Sequence, residues 1–110
     1  MEFKELLDFV KEQDKILDNK FDFTGRERVL SDVVKLGEEF GELCDEVLGF
    51  YKGQRDEKMT GRDADNLSKE FADVLIVLFL LANKMDVDIL DGLEKTIEKV
   101  RNRNKMEGDL

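Results

Sequence analysis

The chain has 110 residues, no proline and 8 glycines, with 41% apolar and 41% charged side chains. That balance suits a single all-α domain over residues 1–110 and excludes a disordered tail or two separate cores. A net charge of -9 excludes bulk electrostatic attraction to nucleic acid or an anionic membrane, and the absence of histidine excludes Ser-His and Cys-His chemistry.

Four helices are expected in chain order. The first, over about residues 2–18, carries Phe3, Leu6, Leu7, Phe9, Val10, Ile16 and Leu17 in an imperfect 3.6-residue rhythm. NKFDFTG breaks it. Thr24 and Glu27 form a capping-box signature, and the second helix runs from there to about Tyr51, with an apolar stripe of Leu30, Val33, Gly37, Phe40, Cys44, Val47 and Tyr51. Residues 53–65, GQRDEKMTGRDAD, lack periodicity and form a loop long enough to serve as a lid or binding segment.

A third helix spans about 66–85, capped by Asp65 or Asn66, and contains VLIVLFLLA at 74–82. Nine successive apolar residues imply burial on every side, yet the run falls short of the roughly 18 needed to cross a bilayer. It is the core of a bundle or of an oligomer. After an MDVD turn, a fourth helix over about 89–105 sets Ile89, Leu90, Leu93, Ile97 and Val100 on one face and ends in the basic cluster KVRNRNK. The expected architecture is a four-helix bundle forming a homodimer or homotetramer, because one small protomer can hardly cover the third helix. Cys44 as the sole cysteine, and a start without a basic segment leading into an apolar one, suit a cytoplasmic protein.

The chemistry concentrates in EEFGELCDEV at 38–47, where five of ten residues are acidic and none is basic. At about 100° per residue, Glu39, Glu42 and Glu46 share one narrow stripe. Like charges one turn apart destabilise a helix by a few tenths of a kcal/mol, and Gly37 and Gly41 cost it roughly 1 kcal/mol apiece. A solvated acidic face would explain the stripe alone. The third helix repeats the pattern with Glu70 and Asp73, and Asp73 leads directly into the apolar run, where partial burial is expected and a cation should meet it. Two such pairs on antiparallel helices gather four carboxylates, which repel by about 4 kcal/mol per pair at 4 Å and an effective dielectric of 20. A hard divalent cation relieves this, and oxygen-only ligation suits Mg²⁺ or Mn²⁺.

Glu39-Phe-Gly-Glu42, twenty-seven residues, then Glu70-Phe-Ala-Asp73 resembles the ExxE…ExxD signature of the all-α nucleoside triphosphate pyrophosphohydrolases, the MazG-like and dCTPase/dUTPase-like superfamily. KLGEEFGEL before the first pair and DVLIVLFLLA after the second extend the likeness to about residues 28–105. The resemblance implies Mg²⁺-dependent hydrolysis of a nucleoside triphosphate between its α and β phosphates, with Glu39, Glu42, Glu70 and Asp73 as metal ligands. Glu38 or Glu42 would orient or deprotonate the attacking water. Lys99, Arg101, Arg103 and Lys105 would supply cations for the distal phosphates, although their placement also suits the helix C-terminal dipole. Lys52, Arg55, Lys58 and Arg62 are a second supply, and Phe21 and Phe23 could stack on a base or plug a core.

The chain departs from two relatives' patterns. Val77 stands where phosphoribosyl-ATP pyrophosphohydrolases have histidine, and there is no tryptophan for base recognition, so the nucleotide is not legible. Two other readings of the residues stay open: a non-catalytic four-helix oligomerisation module with an acidic surface, and a carboxylate-bridged metal bundle with other chemistry, which lacks the ExxH of di-iron bundles.

Overall fold

The computed structural model describes residues 1–52 and 64–109 as four helices: α1 (Phe3–Lys20), α2 (Gly25–Lys52), α3 (Ala64–Lys84) and α4 (Ile89–Met106). No strand occurs among the described residues. The all-α expectation and the helix order hold, with ends shifted by one or two residues. The loop at 53–65 falls outside the described residues, save for its last two positions. Those two open α3, so Asp65 and Asn66 are not its cap. Asp65 sits in the first turn, where its charge suits the helix dipole and pairs with Lys69 at 3.0 Å.

Local chemistry sets the helix boundaries. The Thr24 amide donates to Glu27 Oε1 at 3.0 Å and the Glu27 amide to Thr24 Oγ1 at 3.1 Å, so the capping box closes reciprocally and holds the Glu27 carboxyl below its ordinary pKa. Asp88 caps α4 by accepting from the Asp91 amide at 3.0 Å. Between α3 and α4, the Val87 amide donates to the Ala82 carbonyl and the Asp86 amide to that of Asn83. This is a Schellman turn with Asp86 at φ 55, the left-handed position that glycine fills most easily.

Helices α2 and α3 pack side by side and α1 lies against α3. Glu39 meets Glu70 and Asp73, whereas Arg28 comes to the level of Lys84, so α2 and α3 run antiparallel. The core is small. Val10, Phe79 and Leu80 are buried with Leu6, Leu7, Leu17, Ile76 and Ile89 packed around them, and Phe3 meets Phe79 edge-on at 5.9 Å. Helix α4 has no buried residue and touches the others only lightly, chiefly where Ile89 joins this cluster. The radius of gyration is accordingly 17.7 Å, against about 13 Å for a compact domain of this size.

Two burial patterns differ from those read in the sequence. Phe71, Leu75 and Leu78 stay 42–55% exposed, so α3 is not enclosed on every side within the protomer. Contact with α2 on one flank and α1 on another leaves its third flank uncovered. On α2 the apolar stripe is not the buried face: Leu30, Val33 and Phe40 are more than half exposed, while the buried residues are Arg28, Asp32 and Glu39. The helix turns its charged side inward because α1 and α3 present matching groups there.

Those groups form a knot. Arg28, only 2% exposed, donates to Asp14 at 2.9 Å, Asp18 at 2.9 Å and Asp32 at 3.4 Å. Asn83 donates to Asp14 at 3.0 Å, and Lys84 reaches Asp18 at 2.6 Å. One buried guanidinium thus joins α1 to α2, while Asn83 and Lys84 tie α3 to the same aspartates. The hydrogen bond from Lys84 holds Asp18 below its ordinary pKa. Burial pushes Asp32 above its own, against the opposing pull of Arg28. Arg28→Met should lower stability by about 3–5 kcal/mol, because it removes the cation at the centre of three aspartates and leaves Asp32 without its charge partner. A denaturant midpoint within error of wild type would mean that the knot contributes nothing net. Asp86→Gly should instead raise stability, by up to about 1 kcal/mol, through relief of the left-handed backbone.

Candidate metal centre

Two turns beyond Asp32, the inward face of α2 presents Glu39, and across from it α3 presents Glu70 and, one turn on, Asp73. The i,i+3 spacing puts the α3 pair on one side of its helix. Antiparallel packing then brings carboxylate oxygens of Glu39, Glu70 and Asp73 within 4.8 Å of one another. Glu39 is buried, Glu70 half-buried and Asp73 exposed. Asp73 therefore lies at the solvent edge rather than partly inside, because the apolar run that follows it is itself only partly covered.

Two oxygens define the electrostatics. Glu39 Oε2 and Glu70 Oε2 are enclosed and have no hydrogen-bond partner among the described residues. A buried carboxylate oxygen without a donor costs about 1–3 kcal/mol or more. Burial pushes the Glu70 carboxyl above its ordinary pKa, and the negative charges of Asp73, Glu42, Glu46 and Glu39 push it further the same way. The other Glu39 oxygen is engaged by Lys35 Nζ at 3.1 Å, and this hydrogen bond holds the lysine above its usual pKa.

The remaining sequence-derived residues fall into three groups. Glu42 is exposed and outside the three-carboxylate group, although its charge reaches Glu70. Glu38 is largely exposed and lies 3.8 Å from Lys35. The basic cluster divides: Lys99 and Arg103 line one shallow trough on α4, Arg101 and Lys105 a neighbouring one that shares Glu98 and Asn102 with it, and α4 does not fold back along α3. Arg55, Lys58 and Arg62 lie outside the described residues, as does the side chain of Lys52. Phe21 and Phe23 stack on each other at 5.5 Å and stay exposed in the α1–α2 link. Glu39 stands fourteen residues into α2 from Gly25, about 21 Å along its axis, so the two rings do not reach this site in their own protomer.

Sequence reasoning passed over Lys35. Its signal was plain in retrospect, a lysine three residues before Glu38 and four before Glu39, the spacing at which helix side chains pair.

Residues 29–107 match the MazG nucleotide pyrophosphohydrolase domain, and the chain belongs to that family. It is also similar to the uncharacterized protein YpjD of Bacillus subtilis (strain 168), 36% identical over 76 residues that cover 69% of this chain and 67% of that one. No solved structure matches it. Among the described residues no helix is long and apolar enough to cross a membrane.

The donor set fits a hard divalent cation: three carboxylates, two of them with an enclosed unpaired oxygen, and neither imidazole nor thiolate in reach. Millimolar Mg²⁺ or Mn²⁺ should therefore raise the melting temperature by more than monovalent salt of equal ionic strength. Equal shifts would reduce the effect to screening of the net charge. The metal-induced shift should also fade as pH falls through the raised pKa of Glu70, since protons compete for the same oxygens. Without metal the sign reverses. A carboxyl whose folded pKa is raised makes the folded state the stronger proton binder, so this group stabilises the fold at lower pH and loses that contribution as pH rises through its folded pKa.

Proposed function

We propose that the protein is a Mg²⁺-dependent nucleoside triphosphate pyrophosphohydrolase that cleaves between the α and β phosphates, releasing a nucleoside monophosphate and pyrophosphate. The observation that carries this reading is the pair of enclosed, partnerless oxygens on Glu39 and Glu70, facing each other from the ExxE and ExxD pairs of a MazG-family chain.

In this account Glu39, Glu70 and Asp73 hold Mg²⁺, or Mn²⁺ in its place, and Glu42 joins them by turning inward from its exposed position. Bound there, the ion supplies neutralisation of phosphate charge and a lowered pKa for water. The chain's own residues do the rest. Glu38 or Glu42, whichever is not engaged, accepts a hydrogen bond from the attacking water and takes its proton. Lys35 holds Glu39 in position through its 3.1 Å ion pair. Lys99, Arg101 and Arg103 bind the distal phosphates. Because their helix stands away from α3 in the protomer, this role belongs to an assembled homodimer or homotetramer. Housekeeping of the cytoplasmic nucleotide pool is the setting that suits such a reaction.

A panel of ribo- and deoxyribonucleoside triphosphates with Mg²⁺ should yield pyrophosphate from at least one member. Asp73→Asn, Glu39→Gln and Glu70→Gln should each abolish it while the fold persists, whereas Asp45→Asn should be nearly neutral. Residues acting as one metal-binding unit lose activity together rather than additively. Near wild-type turnover by Asp73→Asn, or orthophosphate as the sole inorganic product, would overturn the assignment.

A further inference from the structure

Lys35 stands at the edge of the carboxylate group and engages one oxygen of its innermost member. Its Nζ lies 3.1 Å from Glu39 Oε1 and 3.8 Å from Glu38 Oε2, with the lysine side chain 55% exposed and that of Glu39 11%. Glu39 Oε2 is enclosed and has no donor among the described residues. The two oxygens of one carboxylate are thus divided between an ammonium at the solvent edge and an unpaired interior position. Helix stability gives little reason for the pair. Lysine four residues before glutamate is the weaker of the two orders, and ion pairs with a half-exposed partner contribute little.

What the pair does fix is the number of oxygens that Glu39 can offer. A carboxylate grips a cation through one oxygen or through both, and with Oε1 bonded to an ammonium only Oε2 is left. That difference separates the hard divalent cations. Mg²⁺ demands a near-ideal octahedron at about 2.0–2.1 Å and is served by one oxygen per carboxylate, with water completing the set. Ca²⁺ takes about 6–8 oxygens at about 2.3–2.6 Å and accommodates carboxylates that give both. The two ions carry the same charge, so the acidity of the site attracts both, and the choice between them falls to ligand number and geometry.

We propose that Lys35 is the selectivity-determining residue of the cation site: by occupying Glu39 Oε1 it confines Glu39 to one-oxygen ligation and biases the site toward Mg²⁺ and Mn²⁺ and against Ca²⁺. The inference rests on the cation site of the proposed function and deepens it, since a residue outside the carboxylate set then governs which ion is held. It also differs from a purely positioning part. A lysine that only steadied Glu39 would change the affinity for every divalent ion alike, and so would its like charge, whereas a lysine that withholds an oxygen changes the ratio between ions.

Binding of Mn²⁺, followed by the electron paramagnetic resonance of the free ion with Mg²⁺ and Ca²⁺ as competitors, gives three dissociation constants without reference to activity. Lys35→Met removes a half-exposed ammonium, and circular dichroism without metal checks that the helices persist. Loss of the positive charge should tighten all three ions. The Ca²⁺:Mg²⁺ affinity ratio should in addition rise on the order of 10-fold over wild type, the lower end of what partners of metal ligands carry. Lys35→Arg, which keeps a charged donor at the same spacing, should leave the ratio as it is in wild type. Lys35→Ala supplies the same comparison if Lys35→Met fails to fold. An unchanged ratio in the variants without a donor, or a ratio raised as much by Lys35→Arg, would overturn the proposal and leave the cation site standing. A wild type that holds no Mn²⁺ at millimolar concentration would overturn the cation site and this inference with it.

Discussion

The inward charged face of α2 is the constraint around which the molecule is arranged. A helix that buries Arg28, Asp32 and Glu39 must find partners for each, because an unpaired buried charge is among the costliest features a fold can carry. At one end of the face the account closes within the protein: Arg28 is surrounded by Asp14, Asp18 and Asp32, and Lys84 with Asn83 satisfies what remains. At the other end it does not. Glu39 has Lys35 for one oxygen, and its second oxygen and one of Glu70 are enclosed with no donor among the described residues. The two ends use the same physics with opposite outcomes. The first is a clamp that joins three helices, and the second is a carboxylate group whose donor set fits a cation.

Much of the fold was legible because it rests on local chemistry. Thr24 and Glu27 announce the start of α2 within four residues, and the apolar rhythms place all four helices. The carboxylate pairs were readable for the same reason, since i,i+3 spacing on two helices predicts two facing groups before any packing is known. The Arg28 knot was not readable. Its members lie on three helices, and Asp14 and Lys84 are 70 residues apart, while each is an ordinary surface residue by type. The burial of α2 was misread for a related reason. Periodicity locates an apolar face without saying whether it packs within the protomer, and here that face stays uncovered while the charged one is enclosed.

The same openness bears on how a site could work. The exposed flank of α3, the nearly free α4 and the stacked Phe21–Phe23 pair all lie where one protomer leaves space, and the basic residues proposed to meet phosphate sit on the helix that packs least. An assembled form would place these groups without changing the antiparallel α2–α3 pair that gathers the carboxylates. The antiparallel pair that gathers the carboxylates is tied together by the knot two turns away.

The central claim is that the partnerless oxygens of Glu39 and Glu70 are the inner wall of a cation site. A crystal structure grown with Mn²⁺, with anomalous diffraction recorded for that ion, tests it most directly. The account predicts a peak bounded by Glu39, Glu70 and Asp73, with carboxylate oxygens about 2.0–2.3 Å away, as hard divalent cations require. No peak there at millimolar Mn²⁺, with water or a lysine satisfying those two oxygens instead, would contradict it.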